Sequence, residues 1–149
     1  MLTTKLMAFT TNIYLNFPGT TEEAFTFYKS IFGGEFSALM RFKEVPDAGV
    51  VSAEDGEKIM HISMPLGNII LMATDSLESM GQKIEYGNNT YVSVHPETKE
   101  EADRIFAALS DGAEIEMPIA DVFWGDYFGS LKDKYGIRWM IDVGPTTAK

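Results

Sequence analysis

The chain contains no cysteine among its 149 residues. That absence excludes a disulfide framework, a thiolate nucleophile and a sulfur-ligated zinc. Histidine is almost missing as well, at two residues, which leaves little material for an imidazole-based metal site. Basic residues are sparse: 12 Lys and Arg stand against 22 Asp and Glu, for a formal charge of −10, and no basic stripe is present to follow a phosphate backbone. Nucleic acid is not an expected partner. No apolar run approaches the ~20 residues that span a bilayer, and the opening MLTTKLMAFTT lacks the apolar core of a signal peptide. No membrane partner and a cytoplasmic location are therefore expected.

What is present is the usage of an ordinary folded domain, 45% hydrophobic and 23% charged. The length suits one domain over 1–149. Solubility accounts for the acidic surplus, with attraction of a cationic ligand as the alternative.

The strongest internal signal is a repeat. Thr20 to Gly34 lies over Thr98 to Gly112 at a constant offset of 78 residues, and both segments open on T-x-E-E-A. Each places a Thr three residues before a Glu (Thr20 with Glu23, Thr98 with Glu101), the capping-box spacing of a helix start. Apolar residues then recur at helical spacing: Ala24, Phe27, Tyr28, Ile31 and Phe32, and again Ala102, Ile105, Phe106 and Leu109. Glycine-bearing stops follow at Gly33-Gly34 and Asp111-Gly112.

Strand patterns surround both helices. Phe9 to Phe17 and Asn89 to His95 precede them. Glu35 to Phe42, Ile59 to Leu66 and Asn68 to Thr74 follow the first, with Gly67-Asn68 as a tight hairpin turn. Glu114 to Phe123, Tyr127 to Leu131 and Ile137 to Val143 follow the second. The expectation is an α+β fold written twice as βαβββ: a first module over 9–75, a linker over 76–88 and a second module over 89–143, forming a curved, mostly antiparallel sheet cleft. Such a trough suits a small-molecule ligand. The acidic stretch Glu44 to Lys58 reads as a mobile loop or a lid over it.

Candidate chemistry is thin. His61 alternates with the apolar Met60, Ile62, Met64 and Leu66, so its imidazole should point away from the apolar layer as a general base or hydrogen-bonding group; a structural histidine is the plain alternative. His95, before Pro96 at a strand end, reads as solvated loop. In the block Asp121-Val122-Phe123-Trp124-Gly125-Asp126-Tyr127, Trp124 is placed to stack on a flat or cationic ligand and Asp121 to fix its polar end, against core or dimer contact as the other reading. Asn12, Tyr14 and Asn16 share one strand face, and Asn89, Tyr91 and Ser93 another. Their neutral groups suit binding better than acid–base catalysis. No G-x-S-x-G elbow, phosphate-cradling glycine loop, dinucleotide fingerprint or methyltransferase cofactor loop occurs, so no cofactor is expected.

The stretches NIYLNFPGTTEEAFTFYKSIFGGEF, MHISMPLGNIILMATD and DVFWGDYFGSLKDKYGIRW resemble the PhnB-like branch of the glyoxalase and bleomycin-resistance (vicinal oxygen chelate) superfamily, from about Asn12 to Asp142. The resemblance implies a homodimer and a cleft where metal-dependent members hold a divalent ion by one side chain from each of four strands. Those positions fall here at Asn12, Leu71 or Met72, Asn89 and Met140. Two amides with apolar or thioether groups are poor ligands for such an ion, so no metal site is expected. The function implied is small-molecule binding; whether the chain is an enzyme stays open. The alternatives are a divergent isomerase, lyase or resistance enzyme using His61 and Asp121, and a binder that sequesters cationic toxic compounds.

Overall fold

The computed structural model describes residues 8–50 and 52–145. The chain divides into two compact units, one holding the residues up to Phe25 with Gly34–Lys83, the other Thr26–Gly33 with the residues from Ile84 onward.

The first unit holds β1 (Ile13–Phe17), β2 (Ala38–Arg41), β3 (Ile59–Leu66) and β4 (Ile69–Asp75), in spatial order β1-β4-β3-β2. β1 runs parallel to β4, and the other neighbours are antiparallel. The alternation seen in the sequence becomes a two-sided sheet: Phe17, Ile62, Met64, Leu71 and Ala73 are buried on the core side, together with Ala24 and Phe25 from the start of helix α1 (Thr21–Phe32). Phe17 and Phe25 meet edge-on, with ring centroids 6.5 Å apart. The β3–β4 hairpin turns on Gly67 at φ 57°, while Asn68 keeps a negative φ, which is the type II′ arrangement with glycine first.

The start of α1 is secured from another strand. The carboxylate of Asp75, 3% exposed, accepts the Thr21 N–H at 3.0 Å on one oxygen and the Ile59 N–H at 2.8 Å on the other. One side chain thus meets an orphan donor of the helix and a strand N–H together. The acidic stretch after β2 is not featureless. It carries single helical turns at Phe42–Glu44 and Pro46–Ala48 and the short helix α2 (Ala53–Gly56). Ion pairs brace it: Arg41 on Glu22 at 2.8 Å, Lys43 on Glu57 at 2.6 Å and Lys58 on Asp55 at 2.9 Å.

The second unit repeats the topology with β5 (Val92–Val94), helix α3 (Lys99–Leu109), β6 (Glu114–Asp121), β7 (Tyr127–Lys132) and β8 (Arg138–Val143), in order β5-β8-β7-β6 and with β5 parallel to β8. The fold is therefore α+β, with a βαβββ pattern written twice. Ala102, Ile105, Phe106 and Leu109 form the buried stripe of α3, and Leu131, Trp139 and Ile141 the buried side of the sheet. At the α3 start only half of the expected capping box forms. Thr98 Oγ1 accepts the Glu101 N–H at 3.1 Å, but the Glu101 carboxylate turns to Arg104 instead of reaching back.

Within this unit Tyr28 and Phe32 pack on Trp139, at centroid distances of 5.3 and 5.4 Å. Below them Asp133 accepts hydrogen bonds from Tyr28 Oη (2.6 Å), Trp139 Nε1 (2.8 Å) and the N–H groups of Tyr135 (2.8 Å) and Ile137 (3.0 Å). The edge strand β6 contains Pro118 and two register shifts, features that blunt an exposed edge against pairing with other chains.

Candidate functional site

The side of the first sheet opposite its core carries the chemistry. Register places Tyr14 beside Met72, Met72 beside Ser63, and His61 beside Met40. Tyr14 Oη and His61 Nδ1 lie 3.0 Å apart, and their rings are tilted by 38° at 5.7 Å. β4 runs between the two strands that bear them, so the long phenol reaches across one strand to the imidazole. Tyr14 is 47% exposed while His61 is half-buried, and His61 Nε2 makes no hydrogen bond among the described residues. Burial holds the Tyr14 phenol above its ordinary value of 10.0, so it stays a proton donor.

Asn12 and Asn16 differ from Tyr14 in role. Asn12 Oδ1 accepts the Ile70 N–H at 2.9 Å, which extends the β1–β4 pairing beyond the strand; Asn16 is exposed. Leu71 is fully buried on the core side, so of the two β4 positions Met72 is the one on the opposite face.

In the second sheet the strand begins later than the sequence pattern places it. Asn89 is exposed and lies ahead of β5, outside any strand, and does not share a strand face with Tyr91 and Ser93. The physical reason lies in the Gly87-Asn88-Asn89 run, where turn-forming residues delay pairing. Tyr91 Oη donates to Glu116 at 2.8 Å, and Glu116 also pairs with Arg138. Met140 is half-buried on the face opposite Trp139 and Ile141.

The block after β6 forms a hairpin tip: the Val122 N–H donates to the Asp126 carbonyl at 2.9 Å and the Gly125 N–H to the Val122 carbonyl at 3.0 Å. Trp124, 49% exposed, packs edge-on against Phe123 (4.9 Å) and Phe128 (5.8 Å). Asp121 is exposed, and Lys99 holds its carboxylate at 3.0 Å. The same ammonium sits 5.1 Å from the Tyr127 ring centre. A groove of about 480 Å³ lies here, lined in part by Glu97, Lys99, Asp121, Tyr127, Val143 and Pro145.

A divalent ion at the four positions that the resemblance implies would find poor donors. Of the four family positions, Asn12 spends its carbonyl on the Ile70 N–H, Asn89 lies off the strand, and Met72 and Met140 offer thioethers. Among the described residues no group of three or more His, Cys, Asp or Glu is placed to hold a metal. The residues present do not fit the group.

Comparison with known proteins shows the family. The model of the family described as "3-demethylubiquinone-9 3-methyltransferase" matches residues 9–142. YjdN of Escherichia coli (strain K12) is 30% identical over 138 residues, 87% of this chain and 92% of that protein. The crystal structure of PA1353 from Pseudomonas aeruginosa aligns with a TM-score of 0.81 at 31% identity, covering 93% of this chain and 99% of its own. A Bacillus cereus PhnB protein, titled a putative 3-demethylubiquinone-9 3-methyltransferase, aligns at 0.75 and 27% identity over 90% and 98%. A glyoxalase/bleomycin resistance protein/dioxygenase family enzyme from Burkholderia phytofirmans PsJN, at 0.56 and 14% identity over 89% and 95%, shares the fold alone. The chain belongs to this PhnB-like family and shares its fold with glyoxalase/bleomycin resistance proteins.

Proposed function

We propose that the protein binds a small polar organic molecule on the face of its first sheet that carries Tyr14 and His61, and that it does so without a resident divalent ion. The observation that carries this reading is the Tyr14–His61 contact, 3.0 Å on Nδ1 with Nε2 making no hydrogen bond among the described residues. A fixed imidazole with one engaged nitrogen offers its other nitrogen to a ligand in a defined direction. Met40 and Met72, next to the pair in register, supply thioether walls that adapt to an apolar portion of the same molecule. Few placed polar groups among adaptable apolar ones is the usual make-up of a small-molecule site.

The methyl transfer in the family's description needs a donor cofactor, and the sequence has no glycine-rich loop after a strand to cradle one. That chemistry is not carried to this chain. The test is a metabolite thermal-shift screen on purified protein, followed by calorimetry with any hit and by metal analysis. A hit whose affinity falls at least tenfold in both Tyr14→Phe and His61→Ala supports the site. Binding that both variants leave unchanged, or a stoichiometric metal whose removal abolishes binding, overturns it.

A further inference from the structure

The second sheet carries a nucleophile constellation of its own. On β5 Ser93 is exposed, and two residues on, past the strand end, His95 lies on the same side. Ser93 Oγ and His95 Nε2 are 2.9 Å apart, and His95 Nδ1 lies 3.8 Å from Asp142 Oδ2 on β8. The parallel register produces this grouping: Ser93 stands beside Met140 and Val94 beside Ile141, so the next step brings His95 level with Asp142. In the first sheet the equivalent step pairs Asn16 with Thr74, neither of which titrates. Among the described residues, only the second copy sets an imidazole between a hydroxyl and a carboxylate.

The order of contacts matters more than the residue types. A hydroxyl on Nε2 and a carboxylate on the Nδ1 side is the arrangement in which imidazole takes a proton from the hydroxyl while the carboxylate orients the ring and stabilises the imidazolium that forms. The 3.8 Å separation is an ion-pair distance that charging of the ring would shorten. Ser93 and His95 are exposed, so an ester reaches them from solvent; the groove of about 480 Å³ at the start of α3 is walled by Val143, on the opposite side of β8 from Asp142, and is separate from this site.

We propose that Ser93, His95 and Asp142 form an esterase-type site that accepts small activated esters, with Ser93 as nucleophile, His95 as general base and Asp142 as a positioning residue. Ser93 Oγ attacks the acyl carbon as its proton passes to His95 Nε2. The tetrahedral species collapses by breaking the bond to the leaving oxygen, which receives that proton from His95. Water then attacks the acyl-Ser93 ester, His95 takes its proton and returns it to Ser93, and the carboxylic acid leaves. The exposed setting of Ser93 favours slow turnover, because water competes with the protein for the developing oxyanion.

The test uses the intact protein with 4-nitrophenyl acetate and, separately, diisopropyl fluorophosphate followed by peptide mass mapping. The expected result is a phosphorylated Ser93 and a slow hydrolysis that Ser93→Ala abolishes and His95→Ala lowers by about a hundredfold or more. Asp142→Asn should lower the rate and change the pH profile, a readout that a merely structural carboxylate would not move. Ser93 and His95 are exposed, so their variants should melt with the parent protein and decide the matter even where Asp142→Asn does not fold. Absence of label on Ser93, label that persists undiminished in His95→Ala, or hydrolysis that survives Ser93→Ala overturns the proposal.

Discussion

Tyr28 donates its phenolic proton to Asp133 across 2.6 Å, a hydrogen bond between residues 105 apart in sequence. Asp133 accepts three further hydrogen bonds, so its carboxylate organises the turn before β8 and the aromatic packing on Trp139 together. Asp133→Ala strands four donors in a buried place and should cost about 3–5 kcal/mol. Urea unfolding checks it, and a double-mutant cycle with Tyr28→Phe should show coupling of about 1 kcal/mol or more.

The same contact sets an alkaline limit. Burial first, and the Asp133 charge second, hold the Tyr28 phenol well above its ordinary value of 10.0. The folded state therefore keeps a proton that the unfolded chain loses above that value, so the stabilisation is complete below pH 10.0 and declines as pH rises beyond it. Unfolding midpoints between pH 9 and 11, on the order of the tyrosine range, should fall more steeply for the parent than for Tyr28→Phe.

At the acid end the sign reverses. The hydrogen bond from Arg41 holds the Glu22 carboxyl below its ordinary value of 4.5, so its contribution is present above that value and disappears as pH falls through the lowered one. Glu22 is half exposed, and the pair is a surface one, which limits the effect to under about 1 kcal/mol. Glu22→Gln should lower the unfolding midpoint at neutral pH and leave it nearly unchanged at strongly acid pH.

Gly129 in β7 allows no side chain. A Cβ there would lie 2.7 Å from the Phe106 ring and 2.8 Å from the Ile119 Cα, and the second of these is backbone that cannot swing aside. Gly129→Ala should cost about 2 kcal/mol through displacement of α3 or β6. The melting temperature measures the loss, and Phe106→Leu in the same chain should recover only part of it.

On the first sheet, Tyr14→Phe should free His61 Nδ1 without disturbing the core, since Tyr14 is 47% exposed. The expected outcome is an unchanged melting temperature within about 0.5 kcal/mol and a moved pair of His61 ring nitrogen resonances. Unmoved resonances would show that the contact does not persist in solution.

Much of this architecture was legible because it is local. The strand Ile59–Leu66 coincides with its sequence pattern, and the glycine stops of α1 and α3 adopt φ 79° and 73° at Gly33 and Gly112, as helix ends require. What local pattern does not carry is the identity of a distant partner. Asp75 looks like the polar end of a strand, and only the fold brings it to Thr21, 54 residues earlier. His95 reads as solvated loop from its neighbour Pro96, and it is exposed, yet the β5–β8 register sets it beside Asp142. Ser93 two residues before it, on the same side, is the one local sign of that grouping. Glu101 shows the opposite failure: its spacing from Thr98 fits a capping box, but a nearer cation, Arg104, takes the carboxylate.

Among the described residues, the first strand of each sheet is hydrogen-bonded only to the last, β1 to β4 and β5 to β8. An emerging chain can therefore form its hairpins early, but β5 has no partner until β8 has been synthesised, and the loop that must close spans a helix and two strands. Such long-range closure is the slow, entropically costly part of folding. The His95–Asp142 neighbourhood comes into being only with that closure, so a hydrolytic burst, if the second-sheet site works as proposed, would report the final folding step and not the collapse before it.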